Sequence, residues 1–396
     1  MSAIATRMSM TSTAVVKDET IPKSDIWVIL DIEGPQVLND NAQETTVALA
    51  KRMEEKNSYF WEKVAPSIGI TPSEKEEEMT LGEIIGTRFF HFMSVIDDIW
   101  GDFHRIPQDP SYSSGHTLKD ILPFFKAMEA TYQWSYEFAK KSIRVMPNIQ
   151  EVLLRLDRKY NVWMVSTSYE FFIQAFCDLV GLPLKKAYCT RVPKLDEIPI
   201  SLDERITLLR FMKSVAEMPL IEYNKETGEV ASKHQINYDM VTDFIWNTVY
   251  KMPVGELLRI VHPAGQTQKR EVVERICKKF GVPRKRVIYW GDSQTDVQVV
   301  EWLREDGIAA MFNGKGKVFA KSNIAYIGEN AEVIEEAADC FAERGQQGLI
   351  NYCTPSREAK GGGKLTVITP ENAEALEKES VDKRKQVRGV HIAELT

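Results

Sequence analysis

Three apolar runs in this chain each stop abruptly at polar residues, a pattern typical of buried strands in a parallel sheet. They lie at residues 27–36 (WVILDIEGPQ), 161–170 (NVWMVSTSYE) and 286–300 (RVIYWGDSQTDVQVV). Turn residues or a helical period follow, so the polar residues fall where the predicted strands end. The pattern therefore predicts an α/β fold with a Rossmann-like parallel sheet and a site at the carboxyl ends of its strands.

Two long segments between these runs have apolar residues three and four positions apart, the spacing of amphipathic helices. They cover about 46–144 and 191–261, and we predict that both are helical insertions. The predicted core is then formed by residues 25–45, 145–190 and 262–350.

The two ends of the chain differ in pattern from this core. Residues 1–24, rich in Ser, Thr and Met without a clear period, are predicted to be a flexible tail. Residues 351–396 form a C-terminal extension with a glycine hinge, a short strand pattern and a charged helical stretch. We expect this extension to pack on the core or on a partner subunit, which leaves a homodimer open.

The net charge, the cysteines and the lengths of the apolar runs argue against several classes of binding partner and site. A net charge of −7 disfavours a general binder of nucleic acid or of anionic membranes. The five cysteines are odd in number and lack C-x-x-C spacing, so neither a disulfide framework nor a zinc site is predicted. No apolar run approaches the roughly 18 residues that cross a bilayer, and no secretory signal is evident. We expect a cytoplasmic protein that acts without nucleic acid or membrane.

Two carboxylates, Asp31 and Glu33, end the first run, and Gly34 and Pro35 follow at once. Alternate residues of a strand face the same side, so the two acids can share one site. An aspartate has a reference pKa of about 3.9, and its carboxylate can attack phosphorus. Asp31 is therefore a candidate nucleophile; the alternative is a cap and a solvated turn.

Asp292 and Asp296 follow the third run, four residues apart. Carboxylate oxygens on a short loop, with space for water and a phosphate oxygen, are the ligands that Mg²⁺ prefers. The spacing is compatible with a Mg²⁺ site, and equally with a helix N-cap at Asp292 and an unrelated surface acid at Asp296.

Hydroxyl groups and one lysine complete the candidate chemistry. The second run ends at Ser166, Thr167 and Ser168, and hydroxyls at a helix start hold phosphate oxygens well. Lys269 lies in the first turn of a predicted amphipathic helix, where it could neutralise a phosphate and the crowded acids. A structural cap and a solvated surface charge are the alternatives.

Taken in order, D-x-E, a strand-terminal Ser, Lys and G-D-S-x-x-D resemble the haloacid dehalogenase superfamily, whose members are mostly Mg²⁺-dependent phosphatases. The likeness covers about 25–45, 145–190 and 262–340, where GIAAMFNGKGKVFAKSNIAYI is similar to the phosphoserine phosphatase branch. It implies a three-layer core, with the first insertion as a C1-type cap that excludes water and supplies specificity.

The resemblance also implies a role for each residue. Asp31 would become an aspartyl phosphate, Ser166 would bind the transferring phosphoryl group, and Lys269 would steady it. Mg²⁺ is expected among Asp31, Glu33, Asp292 and Asp296. With four acids converging, we expect a strongly anionic site that binds substrate poorly without Mg²⁺.

Glu33 departs from the usual superfamily pattern, in which an aspartate at this position is the general acid and then the base. The enolase-phosphatase branch has a similar D-I-E-G opening, and some archaeal proteins of unsettled role share D-I-E-G-P. We therefore predict a phosphatase that hydrolyses a phosphomonoester of a small metabolite. The alternatives are a phosphoryl transferase or mutase, and a non-catalytic protein that binds a phosphorylated ligand or a partner.

Overall fold

An eight-stranded sheet forms the centre of the protein. The computed structural model describes residues 24–64 and 70–389, so nearly all of the predicted tail at 1–24 lies outside the described residues. The strands are β1 (Trp27–Leu30), β2 (Asn161–Tyr169), β3 (Ala187–Thr190), β4 (Val287–Gly291), β5 (Ile308–Phe312), β6 (Ile324–Ile327), β7 (Arg357–Glu358) and β8 (Lys364–Val367). Their order is β3-β2-β1-β4-β5-β6-β8-β7.

The six strands from β3 to β6 in this order are parallel, and β8 and β7 continue the sheet antiparallel to their neighbours. Strand β1 lies between β2 and β4, with Leu30 level with Met164 on one side and Trp290 on the other. The carboxyl ends of three strands therefore meet around β1. This architecture confirms the predicted α/β fold with a Rossmann-like sheet.

Strand β1 is apolar throughout because both of its faces are covered. Trp27 and Ile29 belong to a cluster with helix residues such as Val273, whereas Val28 and Leu30 join the larger core on the other face. A strand that is buried on both sides reads as a continuous apolar run, as this one does.

Fourteen α-helices surround the sheet among the described residues. They are α1 (Asn41–Lys56), α2 (Phe60–Val64), α3 (Leu81–Asp102), α4 (Thr117–Ala127), α5 (Tyr132–Ser142), α6 (Ile149–Lys159), α7 (Glu170–Val180), α8 (Leu202–Ala216), α9 (Gln235–Asp243), α10 (Glu256–Ile260), α11 (Gln266–Phe280), α12 (Val297–Leu303), α13 (Glu332–Tyr352) and α14 (Ala373–Arg388). None of them is long and apolar enough to cross a bilayer.

Helices from the two predicted insertions pack against each other. Helix α3 contacts both α1 and α8, and α4 also contacts α8. Helix α3 begins with a capping box at Thr80 and Glu83, and its Phe89, Phe92 and Trp100 are buried. These aromatic residues belong to the large apolar core that also contains Val28 and Leu30 of β1. The boundary expected near residue 46 falls inside α1. The exact division of the chain into core and insertions stays a prediction.

The C-terminal extension packs on the sheet domain. Strands β7 and β8 extend the sheet beyond β6, and α14 contacts β6. Ala373 and Leu376 on α14 join an apolar cluster with Met311 and Phe319. This is one of the two arrangements that the sequence left open. It brings α14 to the carboxyl ends of the parallel strands.

Candidate active site

A cavity of about 80 Å³ lies at the carboxyl ends of β1, β2 and β4. Each of these strands brings one predicted residue to it: β1 is followed by Asp31, β2 contains Ser166, and β4 is followed by Asp292. Glu33 lines the same cavity, as the strand period predicts. The other polar residues that line it include Asp40, Asp97, Ser114, Thr117, Thr167, Ser168, Ser293, Gln294, Thr295, Arg384 and Arg388.

The Asp31 carboxylate is buried and fixed at both oxygens. Its Oδ1 accepts a hydrogen bond of 2.7 Å from the Ile32 amide, and its Oδ2 lies 2.5 Å from the Lys269 ammonium. Burial raises the pKa of Asp31, and the nearby carboxylates of Asp296 and Asp292 add to this. The positive charge of Lys269 opposes that shift and favours the ionised form.

Lys269 is held between two acids in the first turn of α11. Its ammonium is 2.9 Å from Asp296 Oδ1 and 3.0 Å from the Thr295 hydroxyl. Although burial works against a charge here, Asp296 and Asp31 raise the pKa of Lys269 above its usual value. The lysine is therefore an ammonium ion at neutral pH, as the predicted role requires.

Both oxygens of the Asp296 carboxylate accept hydrogen bonds from other groups of the protein. Its Oδ1 accepts from the Tyr289 hydroxyl at 2.5 Å as well as from Lys269. Its Oδ2 accepts from the amides of Asp292 and Ser293 at 2.9 and 3.1 Å. Asp296 therefore holds the lysine and the loop that follows β4, a role that the spacing alone did not indicate.

Asp292 is paired with two arginines from the C-terminal helix. Its Oδ2 accepts from Arg384 Nη1 and, at 3.2 Å, from Arg388 Nη1. Although burial opposes ionisation, the two guanidinium groups hold the pKa of Asp292 below its usual value. A Cβ at Gly34, where φ is +95°, would lie 2.1 Å from Asp292 Oδ2, so a glycine is needed for this approach.

The site is not the strongly anionic cluster that the sequence predicted. Asp31, Asp292 and Asp296 each offer an oxygen within 4.8 Å of the others, but Lys269, Arg384 and Arg388 balance their charges. Oxygen donors of this kind fit a hard cation such as Mg²⁺. The Glu33 carboxylate is not part of this group of described residues, so the four predicted ligands are not brought together as a set.

Glu33 faces the start of helix α1 instead. Its Oε1 accepts a hydrogen bond of 2.9 Å from the Asn41 amide. Burial and the nearby Asp40 carboxylate raise the pKa of Glu33 to about 7. A group with such a pKa can both give and take a proton near neutral pH, which suits general acid–base chemistry.

Ser166 is buried, and its hydroxyl accepts from the Ser168 amide at 3.2 Å. The strand and the helix lie where the sequence predicts them, because β2 continues through these hydroxyls to Tyr169 and α7 follows directly at Glu170. A second pairing with β3, between Tyr169 and Thr190 after a register shift, extends the strand past Ser166.

Sequence reasoning missed the arginines, Asp40 and a loop from the first insertion. Asp97 accepts from the amides of Gly115 and Thr117 at 2.7 and 2.8 Å and so shapes this loop. A Cβ at Gly265, just before α11, would lie 2.6 Å from the Ser114 carbonyl, so the loop sits directly on the core. The run SSGHT between two helical patterns was the signal that could have indicated it.

Comparison with known proteins supports the fold. No protein-family model matches the chain, and no curated protein matches it in sequence. The structure is similar to that of gene product AF1437 from Archaeoglobus fulgidus, with a TM-score of 0.71 and 19% identity over 93% of this chain and 98% of that one.

Two phosphoserine phosphatase structures resemble this chain more weakly. One, a phospho-aspartyl intermediate analogue, has a TM-score of 0.39 and 15% identity over 80% of this chain and 99% of that one. The other, a probable phosphoserine phosphatase from Vibrio cholerae, has a TM-score of 0.40 and 12% identity over 82% of this chain and 69% of that one. Scores this low do not support a shared activity. The comparisons therefore show an α/β fold shared with the archaeal protein along almost its whole length.

Proposed function

We propose that the protein is a Mg²⁺-dependent phosphatase that hydrolyses a phosphomonoester of a small metabolite through an aspartyl phosphate on Asp31. One observation carries the proposal: a buried carboxylate at a strand end lies 2.5 Å from a buried ammonium, in reach of the cavity that Ser166 and Asp292 line. This arrangement offers a nucleophile and charge stabilisation for the same phosphoryl group.

In the first step, a carboxylate oxygen of Asp31 attacks the phosphorus atom and the bond to the leaving oxygen breaks. Glu33, whose pKa is about 7, gives a proton to that oxygen, so the alcohol leaves neutral. Lys269 and the Ser166 hydroxyl stabilise the charge on the phosphoryl oxygens.

In the second step, Glu33, now ionised, takes a proton from water. The water oxygen attacks phosphorus, the acyl phosphate bond breaks, and Asp31 and inorganic phosphate are restored. Asp31 and Asp292 are the residues that would hold Mg²⁺, which when bound supplies neutralisation of phosphoryl charge.

Release of inorganic phosphate from a panel of phosphorylated metabolites and an aryl phosphate tests this function. We compare the wild type with Asp31→Asn, each with Mg²⁺ or with a chelator. The proposal predicts Mg²⁺-dependent release that falls at least about 10³-fold in Asp31→Asn, because the nucleophile is lost.

An exposed aspartate on α14, Asp382, supplies the matched control, and Asp382→Asn should leave the rate unchanged. Full turnover by Asp31→Asn would refute the aspartyl phosphate, and undiminished turnover in chelator would refute the metal requirement. Transfer to an alcohol in preference to water would make the protein a phosphoryl transferase.

A further inference from the structure

Helix α14 places two buried arginines, Arg384 and Arg388, in the wall of the cavity that contains Asp31. They are four residues apart, so they project from the same face of the helix. Arg384 is 2% exposed and Arg388 is 6% exposed. Two guanidinium groups at such depth require anionic or carbonyl partners, because an unpaired buried charge is costly.

The two arginines differ in how completely the protein satisfies them. Arg388 donates from all three nitrogens: Nε to the Leu38 carbonyl at 3.1 Å, Nη2 to the Asn39 carbonyl at 2.6 Å, and Nη1 to Asp292. Its guanidinium is therefore fixed in place and directs Asp292.

Arg384 is only partly satisfied. Its hydrogen bonds to other described residues come from Nη1, which donates to Asp292 and, at 3.5 Å, to the Asn313 carbonyl. Its Nε is buried and finds no hydrogen-bond partner among the described residues. A guanidinium has five N–H donors in a planar fork, so Arg384 retains donors suited to an oxyanion.

The cavity places that oxyanion beside the proposed nucleophile, because Arg384 lines the same cavity as Asp31 and Ser166. A tetrahedral phosphoryl group has several oxygens, so it can accept hydrogen bonds from Arg384 while its phosphorus atom faces Asp31. The anion that suits both residues is therefore the group that Asp31 would attack.

We propose that Arg384 binds the oxygens of the phosphoryl group in this cavity and that Arg388 is a positioning residue that holds Asp292 beside it. This inference rests on the proposed phosphatase function and adds a cation from the C-terminal helix to the site. Binding of inorganic phosphate to the full-length protein tests it separately from turnover.

Titration calorimetry with inorganic phosphate, without Mg²⁺, compares the wild type with Arg384→Gln and Lys378→Gln. Lys378 is an exposed cation on the same helix and serves as the matched control. Arg384→Gln should weaken phosphate binding by about 10- to 100-fold, the size of a lost charged hydrogen bond. Lys378→Gln should bind phosphate with the affinity of the wild type. If folded Arg384→Gln also bound phosphate with that affinity, the inference would be wrong.

Arg384→Gln leaves the buried Asp292 with one partner fewer and could unfold for that reason alone. The pair Asp292→Asn and Asp292→Asn/Arg384→Gln avoids this, because the carboxylate is neutralised in both. The double variant should bind phosphate about 10- to 100-fold more weakly than the single variant, and equal affinities would overturn the inference. Phosphate binding without phosphate release would overturn the proposed function and leave the inference standing.

Discussion

The ammonium group of Lys269 lies between Asp31 and Asp296, and all three side chains are buried. Removing one member of a buried ion cluster leaves uncompensated charge and costs about 3–5 kcal/mol. We therefore expect Lys269→Met to lower the free energy of unfolding by about that amount in urea. Lys278→Met, at an exposed position of the same helix, is the control. Equal stability of the two variants would contradict the ion cluster.

Gly34 lies in the turn after β1, and its lack of a side chain allows the Asp292 carboxylate to lie close to the backbone there. We predict that Gly34→Ala lowers phosphate release by about 100-fold, because the new Cβ would displace the Asp292 carboxylate. Gly281→Ala is a matched control: its φ is also positive, at +66°, but no atom lies within 4 Å of the added Cβ. Both variants place a side chain at a positive φ, but only the Cβ of Gly34→Ala meets Asp292. Similar losses of activity in the two variants would therefore contradict displacement of Asp292 as the cause.

At the scale of single elements, helix α4 carries a buried carboxyl group whose protonation is set by its neighbours. The Tyr112 hydroxyl lies 2.7 Å from Asp97 Oδ1 and 2.6 Å from Asp120 Oδ2. A hydroxyl has one proton, so it can donate to only one of these acids. Burial raises the pKa of Asp120 to about 8, which makes Asp120 the acid that carries a proton at neutral pH.

The contribution of Asp120 to the stability of the protein should therefore fall as pH rises towards 8. An unfolded aspartate loses its proton near a pKa of about 3.9, whereas folded Asp120 keeps it up to about 8, so between these values folding takes up a proton. Between about pH 5 and pH 8, this contribution to the free energy of unfolding should fall in the wild type. In Asp120→Asn we expect the fall in the free energy of unfolding over the same range to be smaller by on the order of 2–4 kcal/mol.

Urea unfolding at both pH values measures this. Asp382→Asn, at an exposed position of α14, should keep the slope of the wild type. A slope that Asp120→Asn leaves unchanged would show that Asp120 is ionised throughout.

Elements differ in how well the sequence predicts them, and the reason is burial. Strand β1 and the residues after β4 were predictable, because continuous apolar runs ending in acids mark strands that are covered on both faces. Helix α14 was predicted as charged and helical, but which charges are buried could not be read from AEALEKESVDKRKQVR. Arg384 stands between two lysines, and only packing against the core distinguishes it from a solvated cation.

The same limit explains the other differences at the site. Asp292 and Asp296 are both aspartates, only four residues apart, yet their hydrogen-bond partners differ. Asp292 accepts from two arginines, whereas Asp296 accepts from a lysine, a tyrosine hydroxyl and two backbone amides. Tyr289 and Lys269 lie 7 and 27 residues before Asp296, whereas Arg384 and Arg388 lie 92 and 96 residues after Asp292. Residue order could therefore predict which side chains meet, but not how their charges are balanced.

At the scale of the whole molecule, the proposed active site depends on the last helix of the described chain. Ending the chain after Thr369 removes Arg384, Arg388 and the apolar residues of α14 that cover Met311 and Phe319. We expect this truncation to lower the thermal midpoint by several degrees and to weaken phosphate binding by at least about 10-fold. Ending the chain after Gly389 keeps α14 and is the control; equal behaviour of the two truncated proteins would contradict a role for the helix.

The central claim is that Asp31 carries the phosphoryl group during turnover, and trapping that group tests it most directly. Glu33→Gln should accumulate the aspartyl phosphate on a substrate with a good leaving group, because the base that activates water is missing. Mass spectrometry of the peptide containing Asp31, after acid quenching, should then show the added mass of one phosphoryl group, absent from the Asp31→Asn/Glu33→Gln variant. The account would be contradicted if the wild type released phosphate while neither the wild type nor Glu33→Gln ever showed the added phosphoryl mass on this peptide.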